Sequence, residues 1–177
     1  HVYGPYIFDN TAPSVEFAPD GNPTWSKSHT TTVTIKENPY TVDEVSQFAG
    51  ESGIKKEALK YVWRKEADGI PTKEQITETL VIEGTSEETD GTKGHITQIQ
   101  RPITKNTDSD NDWKLWIYVE DTLGNSNIVS SEVFWLDNTN PTLAITETPS
   151  RTTTDNVWTN ANIELAFTDV HSRLNDT

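Results

Sequence analysis

The chain has 177 residues, with 14 Lys and Arg against 28 Asp and Glu, a formal charge of −14, and neither cysteine nor methionine. That charge argues against nucleic acid and anionic lipid as partners, because both need a basic footprint. Without thiols there is no disulfide framework and no cysteine-bound zinc. Hydrophobic residues make up only 32 %, which suits thin layers whose strands bury alternate residues rather than one thick core.

In chain order, the apolar triplet Tyr6-Ile7-Phe8 precedes Asp9-Asn10-Thr11-Ala12-Pro13. Val15 and Phe17 then alternate with Ser14 and Glu16, the period of a strand. Trp25-Ser26 precedes Thr31–Ile35, a β-branched run that predicts another strand. Between Tyr40 and Leu59, apolar Val42, Val45 and Phe48 recur at three-residue steps, which fits either a short helix or a long loop. Leu59, Tyr61 and Trp63 alternate again. Segments 76–83 and 95–103 are weaker strand candidates, and the polar stretch 83–94 reads as an exposed loop. Trp113, Leu115, Ile117 and Val119 predict a strong strand, followed by the hairpin turn Asp121-Thr122-Leu123-Gly124-Asn125. Ser131, Val133 and Trp135 form a further alternating set.

The pattern then begins again. Phe134-Trp135-Leu136-Asp137-Asn138-Thr139-Asn140-Pro141 matches Tyr6 to Pro13, and Leu143 and Ile145 repeat Val15 and Phe17. Trp158-Thr159 followed by Ile163, Leu165 and Phe167 repeats Trp25-Ser26, Val33 and Ile35. Such self-similarity marks a repeat architecture. About seven strands separated by turn signals predict an all-β, immunoglobulin-like antiparallel sandwich in tandem. Residues 9–136 are one complete copy with Val33, Tyr61, Trp63, Leu115 and Ile117 in its core. Residues 1–8 end a preceding copy and residues 137–177 open the next. Two strands alone bury no core in water, so the last segment is expected to be completed by further chain rather than by a second molecule.

These residues resemble the bacterial immunoglobulin-like (Big-type) repeats of Gram-positive surface and S-layer-associated proteins. The shared motifs are Asp-Asn-Thr-x-Pro at Asp9 and Asp137, Ser52-Gly53-Ile54 followed by Tyr61-Val62-Trp63, and Asp121-Thr122-Leu123-Gly124-Asn125 before the last strand. In the second copy His171-Ser172-Arg173-Leu174 stands where Ser-Gly-Ile is expected. The resemblance implies an extracellular, non-enzymatic spacer or stalk whose partners are neighbouring repeats of the same chain. The alternative is an adhesive module for cell-envelope or host carbohydrate or protein, using the Trp116 and Tyr118 face or the 83–94 loop.

Candidate sites follow from residue type. Asp9, Asp121 and Asp137 are oxygen donors at the expected junctions and suit an interdomain calcium ion. The competing role of Asp-Asn-Thr-x-Pro is to end one strand and start another. Asp108-Ser109-Asp110-Asn111-Asp112 alternates acids as calcium loops do, yet Trp113 stands where an EF-hand needs Gly, so a solvated turn is expected. Trp116 and Tyr118 lie on the face opposite Leu115 and Ile117 and, if exposed, form an aromatic patch for a ligand. Trp25, Trp63 and Trp158 read as packing residues. The four histidines are scattered without metal-ligand spacing, and no phosphate loop, dinucleotide fingerprint or nucleophile elbow is present.

Overall fold

The computed structural model of the chain describes residues 9–37, 40–42, 45–47, 52–80, 86–89, 95–148 and 162–172. Trp158, Tyr6–Phe8 and much of 83–94 lie outside the described residues. The strands are β1 (Ser14–Ala18), β2 (Asn22–Ser26), β3 (His29–Lys36), β4 (Tyr40–Val42), β5 (Val45–Gln47), β6 (Lys60–Lys65), β7 (Glu78–Thr79) and β8 (Ser86–Thr89). They continue as β9 (Ile96–Lys105), β10 (Asp110–Glu120), β11 (Ser126–Ser130), β12 (Phe134–Leu136), β13 (Thr142–Thr148) and β14 (Asn162–Thr168). The only helices among the described residues are single 3-10 turns at Lys56–Ala58, Glu66–Asp68 and Lys73–Gln75. The fold is all-β.

One sheet runs β1-β3-β9-β8 and the other β2-β12-β10-β6-β7. Strand β6 takes one edge of β10, while β11 and β12 follow one another along its other edge. The two sheets pack as a sandwich. Val33, Ile35, Ile99 and Ile103 of the first meet Leu115, Ile117 and Val119 of the second, with Ile54, Leu59 and Leu80 closing the cluster. Each such buried side chain contributes roughly 1.5–3 kcal/mol. The alternation read from the sequence therefore faces the core as expected at Val33, Leu115 and Ile117. Tyr61 and Trp63 are only partly buried and pack at its margin, with Trp63 edge-on to Phe134 at 5.4 Å.

Three segments differ from the sequence reading. Residues 40–42 and 45–47 are neither helix nor loop but a short antiparallel pair, Val42 opposite Val45 and Tyr40 opposite Gln47. Tyr, Thr and Val favour the pleated conformation. Polar Ser86–Thr89, expected in a loop, is an edge strand on β9. Edge strands need backbone pairing on one side only and tolerate charge. The last alternating set is not one strand but is broken between β11 and β12, and past the break Phe134 and Leu136 are buried whereas Val133 and Trp135 are not. Ser131 explains the slip. Its N–H donates to Leu115 O, its hydroxyl accepts from Leu115 N–H and donates to Glu132 O, and the strand breaks there. A one-residue shift reverses which side chains face inward.

Beyond Leu136 the chain forms a separate two-stranded sheet, β13 with β14. Its register pairs Leu143 with Phe167 and Ile145 with Leu165. In β1 and β3 the corresponding pairs are Val15 with Ile35 and Phe17 with Val33.

Candidate functional site

Asp9 and Asp137 open the two Asp-Asn-Thr-x-Pro segments, the first and second junctions of the sequence reading, and their carboxylates accept matching Thr and Ser N–H groups. At the first, Asp9 Oδ1 accepts the Thr11 N–H at 3.1 Å and Oδ2 accepts the Ser52 N–H at 2.9 Å. At the second, Asp137 Oδ1 accepts the Thr139 N–H at 3.0 Å and Oδ2 accepts the Ser172 N–H at 2.9 Å. A short carboxylate followed two residues later by a backbone N–H is an Asx turn. Here its second oxygen also accepts an N–H from a segment distant in sequence, 43 residues away for Asp9 and 35 for Asp137. The Ser172 side chain, then the Thr139 and Ser172 N–H groups, hold the Asp137 carboxyl below the usual carboxylate range, with His171 adding to the effect against the desolvation of burial.

The first junction is seated on the β10–β11 turn. Asp121 is fully buried. Its Oδ1 accepts the N–H groups of Leu123 and Asn125, and its Oδ2 accepts Asn125 Nδ2. Gly124 supplies a φ of 94°, as the turn chemistry predicts. Asn125 contributes its side chain, not a positive φ, and also donates to Asp9 O at 3.0 Å. The Ser52-Gly53-Ile54 motif grips the same turn. Gly53 O and Ser52 O accept from Thr122, and Ile54 bridges Asp121. Gly53 has a φ of 87°, and a Cβ there would stand 2.9 Å from His95 Cβ.

Asp9, Glu37 and Asp121 place carboxylate oxygens within 4.8 Å of one another. Such hard oxygens are the donors a calcium ion takes, although it needs six to eight of them. Asp9 and Asp121 already serve five donor N–H groups. Asp137 is not part of this set, which corrects the grouping expected from sequence. It lies beside Ser109 and Ser26 at the start of β10, whereas Asp121 ends the strand. The 11 residues of β10 set the two junctions about 35 Å apart at ~3.4 Å per residue. Glu37 was missed because its role depends on register. It follows β3 as Asp169 follows β14, and only the pairing shows that the two correspond.

Around Asp137 the segment is fastened to the end of the sandwich. Asn138 Nδ2 donates to Lys27 O at 3.2 Å and Asp108 O at 2.8 Å, and Asn138 N–H donates to Ser109 Oγ at 2.7 Å. His171 stacks on Trp25, centroids 5.6 Å apart at 29°, and Trp25 leans on Trp135 at 5.3 Å. Residues 108–112 are not the solvated turn expected: Asp108 and Ser109 end the turn, and Asp110, Asn111 and Asp112 already belong to β10, where Asp110 pairs with Leu136. Asp108 pairs with Lys105, Asp110 pairs with Lys65, and the Lys105 ammonium lies 3.8 Å from the Trp113 ring centroid.

Trp116 and Tyr118 do not form an exposed patch. They are 8 % and 4 % exposed. The Tyr118 hydroxyl donates to Glu120, whose carboxylate also accepts from Lys55 at 2.7 Å and Lys73 at 2.8 Å, while Lys73 lies over the Tyr118 ring at 4.5 Å. The alternation was legible, but the charged layer of Lys73 and Glu120 beside that face was not. Lys55, then Lys73 and Tyr118, lower the Glu120 pKa to about 2. Among the described residues no helix is long and apolar enough to cross a membrane.

Comparison with protein-family models, with curated proteins and with solved structures found no match.

Proposed function

We propose that the chain is a spacer module of an extracellular, multi-domain bacterial-type surface protein, built from immunoglobulin-like sandwiches in tandem. The observation that carries this reading is the placement of the two junctions. The chain enters the sandwich at Asp9, beside the end of β10, and leaves it at Asp137, beside the start of β10. A module entered at one end and left at the other adds its length to an array. The same Asp, Thr and Ser hydrogen bonds occur at both ends, as a head-to-tail series requires. The neighbours of such a module are further modules of its own kind, and its acidic surface keeps the array soluble. No catalytic role is proposed: Asp9 and Asp121 accept from backbone and amide N–H groups, and Glu120 accepts from Lys55, Lys73 and Tyr118.

The adhesive alternative has two candidate surfaces, the Trp116–Tyr118 face, which is buried, and the 83–94 loop, most of which lies outside the described residues. Immobilised glycan and host-matrix protein arrays test the choice. The spacer reading predicts no binding above that of a charge-matched control protein. Saturable binding of one sugar or protein, abolished by a surface substitution on the sandwich, contradicts it.

A further inference from the structure

We infer that the exit end of the sandwich is a docking surface for the module that follows, and that Asn138 together with the Trp25–His171 stack locks the angle between the two. This deepens the spacer reading and rests on it.

Linked modules swing about their linker by default unless something beyond the covalent connection holds them. Here the linker is held at three levels. The Asp137 N–H donates to Ser26 O. Asn138 bridges two loops far apart in sequence, through Lys27 O and Asp108 O. The Ser109 hydroxyl accepts from Asn138 N–H and Thr139 Oγ1 and lies 3.5 Å from Asp137 Oδ1, so one hydroxyl satisfies three consecutive linker residues.

A fastened linker alone fixes a position but leaves rotation. The second fastening lies after β14, where the chain returns to the sandwich. Ser172 N–H closes on Asp137 Oδ2, and the neighbouring His171 ring stacks on Trp25. Two contacts from points about thirty residues apart in the chain (Asn138 and His171) restrain the β13–β14 sheet in both tilt and rotation. All the bonds at Asn138 come from its own N–H groups, and their acceptors are carbonyls and a hydroxyl. The lock therefore needs an amide at that position and no metal ion. The same residue types recur at Asn10 and Thr11, which are exposed and stand in the same relation to Asp9.

The chain has no cysteine, so two spin labels can be placed uniquely in the full 177-residue protein. Glu78→Cys on β7 and Glu164→Cys on β14 report the distance between the two bodies by double electron–electron resonance. The lock predicts one narrow distribution. Asn138→Ala, and separately Asn138→Asp, which keeps the shape but loses the amide donors, should broaden it at least about twofold as the default interdomain motion returns. His171→Ala should broaden it less. Asn140→Ala, an exposed neighbour, should leave it unchanged, as should calcium or a chelator. Circular dichroism of each variant should match the parent, because the substituted residues lie outside the sandwich core. A narrow parent distribution that Asn138→Ala and Asn138→Asp leave unchanged overturns the lock while leaving the spacer reading intact. A distribution that is narrow only with calcium overturns it in favour of cation ligation by Asp137. Ligand capture on the arrays is a separate result and sinks the spacer reading instead.

Discussion

The β1–β3 and β13–β14 pairs have equivalent registers and opposite burial. Val33 and Ile35 are 1 % and 0 % exposed, whereas their counterparts Leu165 and Phe167 are 54 % and 57 % exposed. Backbone pairing and side-chain alternation are thus settled locally, by the strand period and the turn into each strand. Burial is not local, because it comes from the facing sheet of β6 and β10. Among the described residues no second sheet faces β13–β14. The same residue pattern therefore yields a core in one place and an apolar face in the other.

The comparison breaks most visibly under truncation. Ile35→Ala or Leu115→Ala should cost about 2–5 kcal/mol in denaturant unfolding of the sandwich, the usual range for a fully buried aliphatic side chain. Asp121→Ala should cost about 2–4 kcal/mol, because the N–H groups of Leu123 and Asn125 lose their acceptor in a buried turn. Gly53→Ala should cost roughly 1–3 kcal/mol, since it forces a side chain to a positive φ and against His95. At the other end of the scale, Phe167→Ala should change sandwich stability by less than about 0.5 kcal/mol, as exposed substitutions do.

Acid provides a further way to sharpen the contrast. The folded-state pKa of Glu120 is depressed, so its contribution is fully present above the ordinary value of 4.5 and is lost as pH falls towards about 2. Thermal melts between pH 5 and 2 should show the sandwich losing stability across this window, and Glu120→Gln should flatten the slope. An unchanged slope in that variant would place the acid sensitivity on other carboxylates.

Much of the sandwich was legible in the sequence. Period-two alternation placed β1, β6 and β10, a β-branched run placed β3, and turn chemistry placed the Asp121 hairpin. The repeated Asp-Asn-Thr-x-Pro segments located the two carboxylates that accept matching Thr and Ser N–H groups. What escaped depended on partners distant in the chain. The phase of Phe134 and Leu136 turns on one serine bonded to Leu115. The covering of Tyr118 involves Lys73 and Glu120. The separation of Asp137 from Asp121 is visible only once β10 is seen to run between them. Asn138 looked like part of a strand-breaking motif, and nothing in one sequence shows that its amide spans two loops.

The central claim is that the chain passes through the sandwich from end to end. Spin labels at Asn10→Cys and Asn140→Cys in the full chain test it most directly. The account predicts a single narrow distance of about 35 Å, the length of β10. A distance below about 20 Å, too short for the two junctions to lie at opposite ends of an eleven-residue strand, would contradict it.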